Sequence, residues 1–312
     1  MDIHPLLQAI RDNIAKIMIG KQHVVDLLLI ALLSRGHVLI EDVPGVGKTT
    51  LAQAFARSLN LSYNRIQFTP DVLPSDITGF NLFSLQHGNM EFIPGAIMSQ
   101  IVLADEINRS SPKTQSSLLE VMEERQVTVD GVSRPVPQPF MVLATQNPIE
   151  YTGTFPLPEA QLDRFILRTH LDYPNHIEEL AILERHRHPP QLSDLQPVAD
   201  RDDITNLQQR TDDIIVSDPV LEYIARIAEK TRIHEALVLG MSPRASIALM
   251  QAARARAVLL SRSFVTPDDI QALAQPVLLH RLVLRPEEVK NRHSAAKILI
   301  DLIGSIPVPA VR

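Results

Sequence analysis

The chain has 312 residues, of which 45% are hydrophobic, with a formal net charge of −6 and no cysteine. This length can bury a large core and suggests two domains. The acidic balance speaks against a protein built chiefly to grip nucleic acid, and the lack of cysteine excludes disulfides and Cys-based metal sites. A reducing compartment fits. Met1-Asp2-Ile3-His4-Pro5 does not open a signal peptide, and the longest apolar run, residues 27–33, is too short to span a bilayer. The expectation is a soluble, cytoplasmic protein.

Residues 6–33 are helical in pattern, broken at Ile19-Gly20-Lys21-Gln22, with Leu27 to Leu33 apolar on most sides and so buried. Residues 38–40 read as a buried strand. Then come the loop Asp42-Val43-Pro44-Gly45-Val46-Gly47-Lys48-Thr49-Thr50 and a helix with Leu51, Ala52, Phe55 and Leu59 on its inner side. Strand, glycine loop and helix in this order make a phosphate site. Gly45 and Gly47 let backbone N–H groups approach phosphate oxygens, Lys48 reaches the β- and γ-phosphates, and Thr49 ligates Mg²⁺. Pro44, Val46 and Thr50 complete the candidate binding stretch. The first glycine of the usual G-x-x-x-x-G-K-[ST] pattern falls here on Asp42.

Residues 65–68 read as a second strand, and 70–79 as irregular because of Pro70, Pro74 and Gly79. A hairpin is expected from residues 82–85 and 90–93. Residues 101–104 form a strand ending in Asp105-Glu106, and Ser110-Ser111-Pro112 starts a helix running to about Arg125. Asp130-Gly131 marks a hairpin between 126–129 and 132–134, since Asp-Gly suits a primed two-residue turn. Further strands are expected at 140–145 and 165–167. From about Asp172 helical patterns replace strands, with starts at Ser217-Asp218-Pro219, Ser242-Pro243 and Thr266-Pro267-Asp268. The expected division is a nucleotide-binding α/β domain over 1–175, a linker over 176–205 and a helical domain over 206–312. His186 and His188 lack ligand partners at metal spacing, and Arg254 and Arg256 are expected to face solvent or a subunit.

A phosphate loop alone fits a kinase, a GTPase or a motor. Asp105 and Glu106 narrow this, because they stand at the C-terminal edge of a strand, where open α/β sheets bind ligands. Asp105 can hold Mg²⁺ through water, and Glu106 can orient and deprotonate an attacking water, which a hydrolase needs and a kinase does not. Asn147, just past a strand, can hydrogen-bond that water or the γ-phosphate. No Asn-Lys-x-Asp motif supports guanine recognition, although Asp76-Ile77-Thr78-Gly79 matches D-x-x-G.

The phrases Leu39-Ile40-Glu41-Asp42-Val43-Pro44-Gly45-Val46-Gly47-Lys48-Thr49, Arg65-Ile66-Gln67-Phe68-Thr69-Pro70-Asp71 and Ala104-Asp105-Glu106-Ile107-Asn108-Arg109 carry a family resemblance. So do Pro94-Gly95-Ala96, Ala144-Thr145-Gln146-Asn147-Pro148 and Leu157-Pro158-Glu159-Ala160-Gln161-Leu162-Asp163-Arg164-Phe165. Over residues 20–170 the chain resembles AAA+ ATPases of the MoxR group. The resemblance implies a P-loop NTPase fold: a parallel sheet flanked by helices, with a C-terminal all-helical lid. It puts Lys48 and Thr49 on Walker A, Asp105 and Glu106 on Walker B, and Asn147 on sensor 1. Arg164 falls on an arginine finger acting on a neighbour's ATP, with Arg168 close enough to compete, and Arg244 falls on sensor 2. Arg164 could instead pair with Asp163 or Glu159, and Arg244 with a carboxylate on a lid helix. Ile19 and Gly20 fall on the adenine pocket. The hairpins near 81–93 and 127–134 resemble the helix-2 insert and the pre-sensor-1 hairpin.

The expected activity is Mg²⁺-dependent hydrolysis of ATP by a ring, a homohexamer. Such a ring is expected to mature or activate a client protein complex, with proteins carrying von Willebrand A domains as partners. Two rivals stand beside it: a slow nucleotide-dependent scaffold gating a partner, and a nucleic-acid motor, which the acidic balance disfavours.

Overall fold

A computed structural model describes residues 3–43, 45–147, 153–187, 191–290 and 294–309. Two helices, Pro5–Ala15 and Gln22–Leu33, precede strand β1 (Val38–Glu41), the phosphate-loop helix Lys48–Ser58 and β2 (Tyr63–Gln67). A hairpin follows, β3 (Gly79–Ser84) with β4 (Asn89–Pro94), then β5 (Ile101–Asp105) and the helix Pro112–Glu124. A second hairpin, β6 (Gln126–Val129) with β7 (Val132–Pro135), leads to β8 (Met141–Gln146) and β9 (Leu167–Thr169). At its tip Asp130 and Gly131 both have positive φ, 50° and 76°, the primed turn expected of Asp-Gly.

Five of these strands form one sheet in the order β2-β5-β8-β1-β9. Every pairing in it is parallel. Strand alternation divides its side chains between two cores. Val38 and Ile40 of β1, Ile101 and Leu103 of β5, and Met141 and Leu143 of β8 join the larger core. Leu39, Val102, Ala104, Val142 and Ala144 join the smaller one, covered by Leu118, Leu119 and Met122 of Pro112–Glu124. Strands buried on both faces read as unbroken apolar runs, which is why the sequence shows them so plainly.

The remainder is helical: His176–Arg185, Arg201–Asp212, Asp218–Ile233, Pro243–Leu259, Pro267–Leu278 and Ala295–Gly304, with a short ribbon of β10 (Leu237–Leu239) and β11 (Val283–Leu284). The helix Gln22–Leu33 is buried on nearly all sides, because Arg201–Asp212 and Pro243–Leu259 pack against it as well as the sheet. Gln208 donates to the Leu32 carbonyl at 2.7 Å, and the His4 N–H to Leu259 at 2.8 Å.

Three local expectations need correction. Residues 70–79 hold a one-turn helix, Pro74–Thr78, whose Asp76 carboxylate accepts from the Leu73 N–H at 2.9 Å. The last sheet strand begins at Leu167 rather than Phe165, whose carbonyl instead accepts from His280 and Arg281 at 3.0 and 2.8 Å. Arg256 does not face solvent: with Arg262 it neutralises Asp269, a carboxylate with no exposed surface. Burial alone would raise the Asp269 pKa, yet the hydrogen bonds from Arg262, Thr266 and Arg256 hold it below the usual value.

Two buried histidines tie the N-terminal edge of the sheet to its surroundings. His37 Nδ1 accepts from the Val142 N–H at 3.0 Å, so its Nε2–H donates to the Met122 carbonyl at 3.0 Å. A second proton would face a donor, and burial pushes this imidazole down to about 4. Burial, with Arg281 beside it, takes His280 down to about 3. Both bind protons more readily unfolded, near pH 6.5, so their contribution is complete above that pH and is lost as pH falls towards 4. Urea unfolding is therefore expected to show stability declining by up to about 1.4 kcal/mol per pH unit per histidine in that window. His280→Asn should give a shallower decline than the parent chain; equal slopes would exclude this assignment.

Candidate functional site

Because the sheet is parallel, the C-terminal ends of its strands lie on one edge, and there the sequence-predicted residues converge. The phosphate loop leaves β1 and enters Lys48–Ser58 at Gly47, with φ of 95°. Gly45 has φ of 88°; both positions lie in the left-handed region that glycine adopts without strain. Val46 packs on the larger core, while Thr49 and Thr50 are half-buried in the first helical turn. Pro44 lies outside the described residues. Lys48 Nζ donates to the Asp42 carbonyl at 3.0 Å, which holds its ammonium against the loop it serves.

Asp42 has a structural use. Its buried carboxylate accepts from the Leu171 N–H and, at 3.3 Å, from the Asp172 N–H, tying the loop's first residue to the segment after β9. Lys21 Nζ reaches the Asp172 carbonyl at 3.2 Å from the other side. The residue standing where the pattern has glycine thus anchors the loop with its side chain.

Asp105 ends β5 and Glu106 follows with φ of 57° and ψ of 48°, a left-handed conformation that is uncommon for a non-glycine residue and aims its side chain out of the strand. Thr145 of β8 donates to Asp105 at 2.6 Å and accepts from the Glu106 N–H at 2.9 Å. Arg65 pairs with Asp105 at 2.6 Å, and Gln67 and Arg109 donate to Glu106 at 3.1 and 2.9 Å. Asn147 is buried just past β8. Sequence reasoning did not single out Arg65, Gln67, Arg109 or Thr145. Arg65 and Gln67 were findable, since positions two apart on a strand share a face.

Ile19 and Gly20 form the turn before Gln22–Leu33, and Met18 of that turn is 3.3 Å from a Cβ built on Gly47. The turn therefore borders the phosphate loop.

The two predicted arginines are elsewhere. Arg164 lies before β9 and Arg244 opens Pro243–Leu259, and both pair with one carboxylate, Glu123, at 3.1 and 3.2 Å. With Arg35, Arg125 and Arg281 they border a cavity of about 330 Å³ at the N-terminal edge of the sheet. Neither expected neighbour holds Arg164. Asp163 pairs instead with Arg281 at 2.8 Å, an arginine that burial pushes down to about 10 against the pull of Asp163. Arg168 is taken by Glu41 at 2.9 Å within the sheet. Strand length separates the two edges by about 13 Å, at roughly 3.3 Å per residue over a four-residue strand.

The comparisons with known proteins agree with this geometry. Residues 37–167 match the ATPase family associated with various cellular activities (AAA), and residues 229–300 match the AAA lid domain. The chaperone MoxR1 of Mycobacterium tuberculosis is 38% identical over 99% of this chain and 84% of its own. The chain belongs to the MoxR group of AAA+ ATPases. YeaC of Bacillus subtilis is 49% identical over 100% of this chain and 97% of its own. A solved structure of a candidate ATPase from Cytophaga hutchinsonii superposes with a TM-score of 0.92 at 35% identity, covering 98% and 95% of the two chains. As in this family, the chain is an ATP-hydrolysing enzyme.

Asp42→Gly, which restores the usual loop pattern, is expected to weaken the protein. Losing a buried acceptor for two backbone donors costs about 1–3 kcal/mol. Calorimetry should show a lower unfolding temperature and titration a weaker affinity for ATP. An unchanged or tighter loop would sink this account of Asp42.

Proposed function

We propose that the chain hydrolyses ATP as a ring, a homohexamer, in which each site is completed by the next subunit. The carrying observation is the position of Arg164 and Arg244. They share Glu123 on the edge opposite their own phosphate loop, so the site within their reach is that of a neighbouring copy. The cavity they border has five arginines against Glu123 and Asp163, complementary to an edge carrying Glu41, Asp105, Glu106 and bound phosphates.

In this reading Gly45, Val46, Gly47 and Lys48 cradle the phosphates, with Pro44 and Thr50 flanking them, and Ile19 and Gly20 line the base. The donor set fits Mg²⁺ shared with nucleotide: a hydroxyl, Thr49, and a carboxylate, Asp105. Among the described residues no group of three or more His, Cys, Asp or Glu could hold a metal alone. When bound, the ion would neutralise charge developing on the phosphates. Glu106 orients a water and takes its proton as the oxygen attacks the γ-phosphorus, and Asn147 holds the water or the γ-phosphate. Arg164, with Arg244, stabilises the charge on the transferred group. Residues 1–175 act as the nucleotide-binding domain and 206–312 as the lid, with 176–205 linking them.

In this reading the chain matures or activates a client complex, with von Willebrand A proteins among its partners. The relative named as a chaperone supports a partner-assisting role. So does the β3–β4 hairpin, which exposes Phe80, Leu82, Phe83, Leu85 and Met90. Among the described residues no helix is long and apolar enough to cross a membrane. The hold of Gln67 and Arg109 on Glu106 favours a second reading, a slow switch that turns over little without its partner.

Steady-state hydrolysis per subunit is expected to rise with protein concentration. Arg164→Ala should lower kcat by about 10³-fold or more, as loss of an arginine finger does, and Glu106→Gln should abolish turnover while ATP still binds. Mixing the two variants should restore part of the activity, because one contributes the carboxylate and the other the arginine. No restoration, with assembly intact, would rule out a shared site. Nucleotide bound without turnover in the parent chain would favour the switch.

A further inference from the structure

The helix His176–Arg185 carries three of its large apolar residues outward. Its inner face is Glu178, Ala181, Ile182 and Arg185, while Ile177, Leu180 and Leu183 are 78%, 52% and 61% exposed. An amphipathic helix on a globular surface ordinarily shows the reverse. This one is fixed by polar contacts. Arg185 donates to the Ala15 and Lys16 carbonyls at 3.1 and 2.7 Å, and a Cβ on Gly20 would lie 2.0 Å from Glu178 Oε1. The helix is thus held against the turn that borders the phosphate loop, with an aliphatic ridge facing outward.

An apolar groove lies at the other edge. Leu221, Ile224 and Ala228 of Asp218–Ile233 and Ile247 and Met250 of Pro243–Leu259 line a depression of about 350 Å³, with Arg232 at its rim. Ile247 also borders the cavity that holds Glu123, Arg164 and Arg244, so groove and arginine cluster are one continuous surface. The charges are complementary. Beside the ridge of His176–Arg185 the exposed charges are Glu179 and Glu184, while Glu178 and Arg185 face inward. The one charged residue lining the groove is Arg232, and the adjoining cavity sets Arg35, Arg125, Arg164, Arg244 and Arg281 against Glu123 and Asp163.

We propose that these two surfaces bind each other between copies of the chain: the Ile177, Leu180 and Leu183 ridge of one subunit seats in the Leu221 to Met250 groove of the next. The inference rests on the assembly reading above and specifies its contact. If Arg164 and Arg244 of one copy meet the phosphate loop of another, the ridge beside that loop is carried to the groove beside those arginines. A convex aliphatic ridge flanked by glutamates and a concave groove continuous with an arginine cluster are not self-complementary. The contact is therefore head-to-tail, the kind that closes into rings, rather than a two-fold dimer. Nucleotide would then tighten a junction that aliphatic burial already begins.

The chain has no cysteine, so single cysteines report contacts without background. Leu180→Cys and Ile247→Cys proteins, mixed with ATP and oxidised, are expected to give a disulfide-linked dimer that neither gives alone. A double variant should give a ladder of higher multimers. Separately, Leu180→Glu should raise the concentration for half-assembly about tenfold or more in sedimentation, since it places a charge where an aliphatic side chain would be buried. Assembly of the parent chain without the mixed cross-link, and unaffected by Leu180→Glu, would overturn the ridge-and-groove contact and leave the ring standing. A strong cross-link in Leu180→Cys alone would indicate a two-fold helix pair instead. A parent chain that stays monomeric with ATP at every concentration would overturn both.

Discussion

A sheet whose five strands all run one way separates chemistry by edge. Loops leaving strand C-termini gather the phosphate loop, Asp105, Glu106 and Asn147; segments entering strand N-termini gather His37, Arg164 and, through Pro112–Glu124 running back along the sheet, Glu123. No side-chain rotation bridges a gap of about 13 Å. Half of the predicted catalytic set is therefore out of reach of the other half within one chain. The proposed division of labour between copies rests on this strand polarity.

Within the lone chain, the charged groups that matter have local partners. Arg65 holds Asp105, Arg109 holds Glu106, and Glu123 holds both Arg164 and Arg244. These pairs are partly solvated, and such pairs contribute about 0–1 kcal/mol each. In the proposed assembly a triphosphate would offer these arginines several charge-assisted acceptors in place of Glu123. The pair between Asp163 and Arg281 is of another kind. Its guanidinium is almost wholly buried and also donates to the Asp163 and Phe165 carbonyls, so breaking it would strand a charge. One residue along, Arg164 is free to exchange partners because Asp163 is not.

What was legible in the sequence was what repeats or is chemically rare. Buried parallel strands show as apolar runs, and Gly45, Gly47, Lys48 and Thr49 form a pattern few other functions need. Asp130-Gly131 dictated its own turn. What was not legible depends on contacts distant in sequence. Nothing near Glu123 marks it as the partner of residues 164 and 244, and nothing near Arg256 shows that Asp269 will be buried beneath it. The strand boundary at 165–167 slipped for the same reason, because His280 and Arg281 take the Phe165 carbonyl. The outward ridge of His176–Arg185 lay within a segment expected to be linker, where apolar residues at helical spacing gave no sign of which face the body would cover.

Strand β2 joins the two functional ends of the α/β body. Its Arg65 and Gln67 touch Asp105 and Glu106, and the chain then passes through Pro74–Thr78 into the exposed β3–β4 hairpin. The hairpin's base is tight. A Cβ on Gly95 would lie 2.1 Å from the Ile77 carbonyl oxygen, so β4 returns in backbone contact with the turn that launches β3. Asn81 of the first hairpin also donates to Asp130 of the second at 2.7 Å, coupling the two. A change of partner at Asp105 or Glu106 therefore acts on the strand from which the apolar hairpin is hung. Rigid elements sharing backbone contacts transmit such a change as a displacement rather than absorb it. In this way the edge carrying Asp105 and Glu106 is joined through continuous backbone to the exposed apolar hairpin.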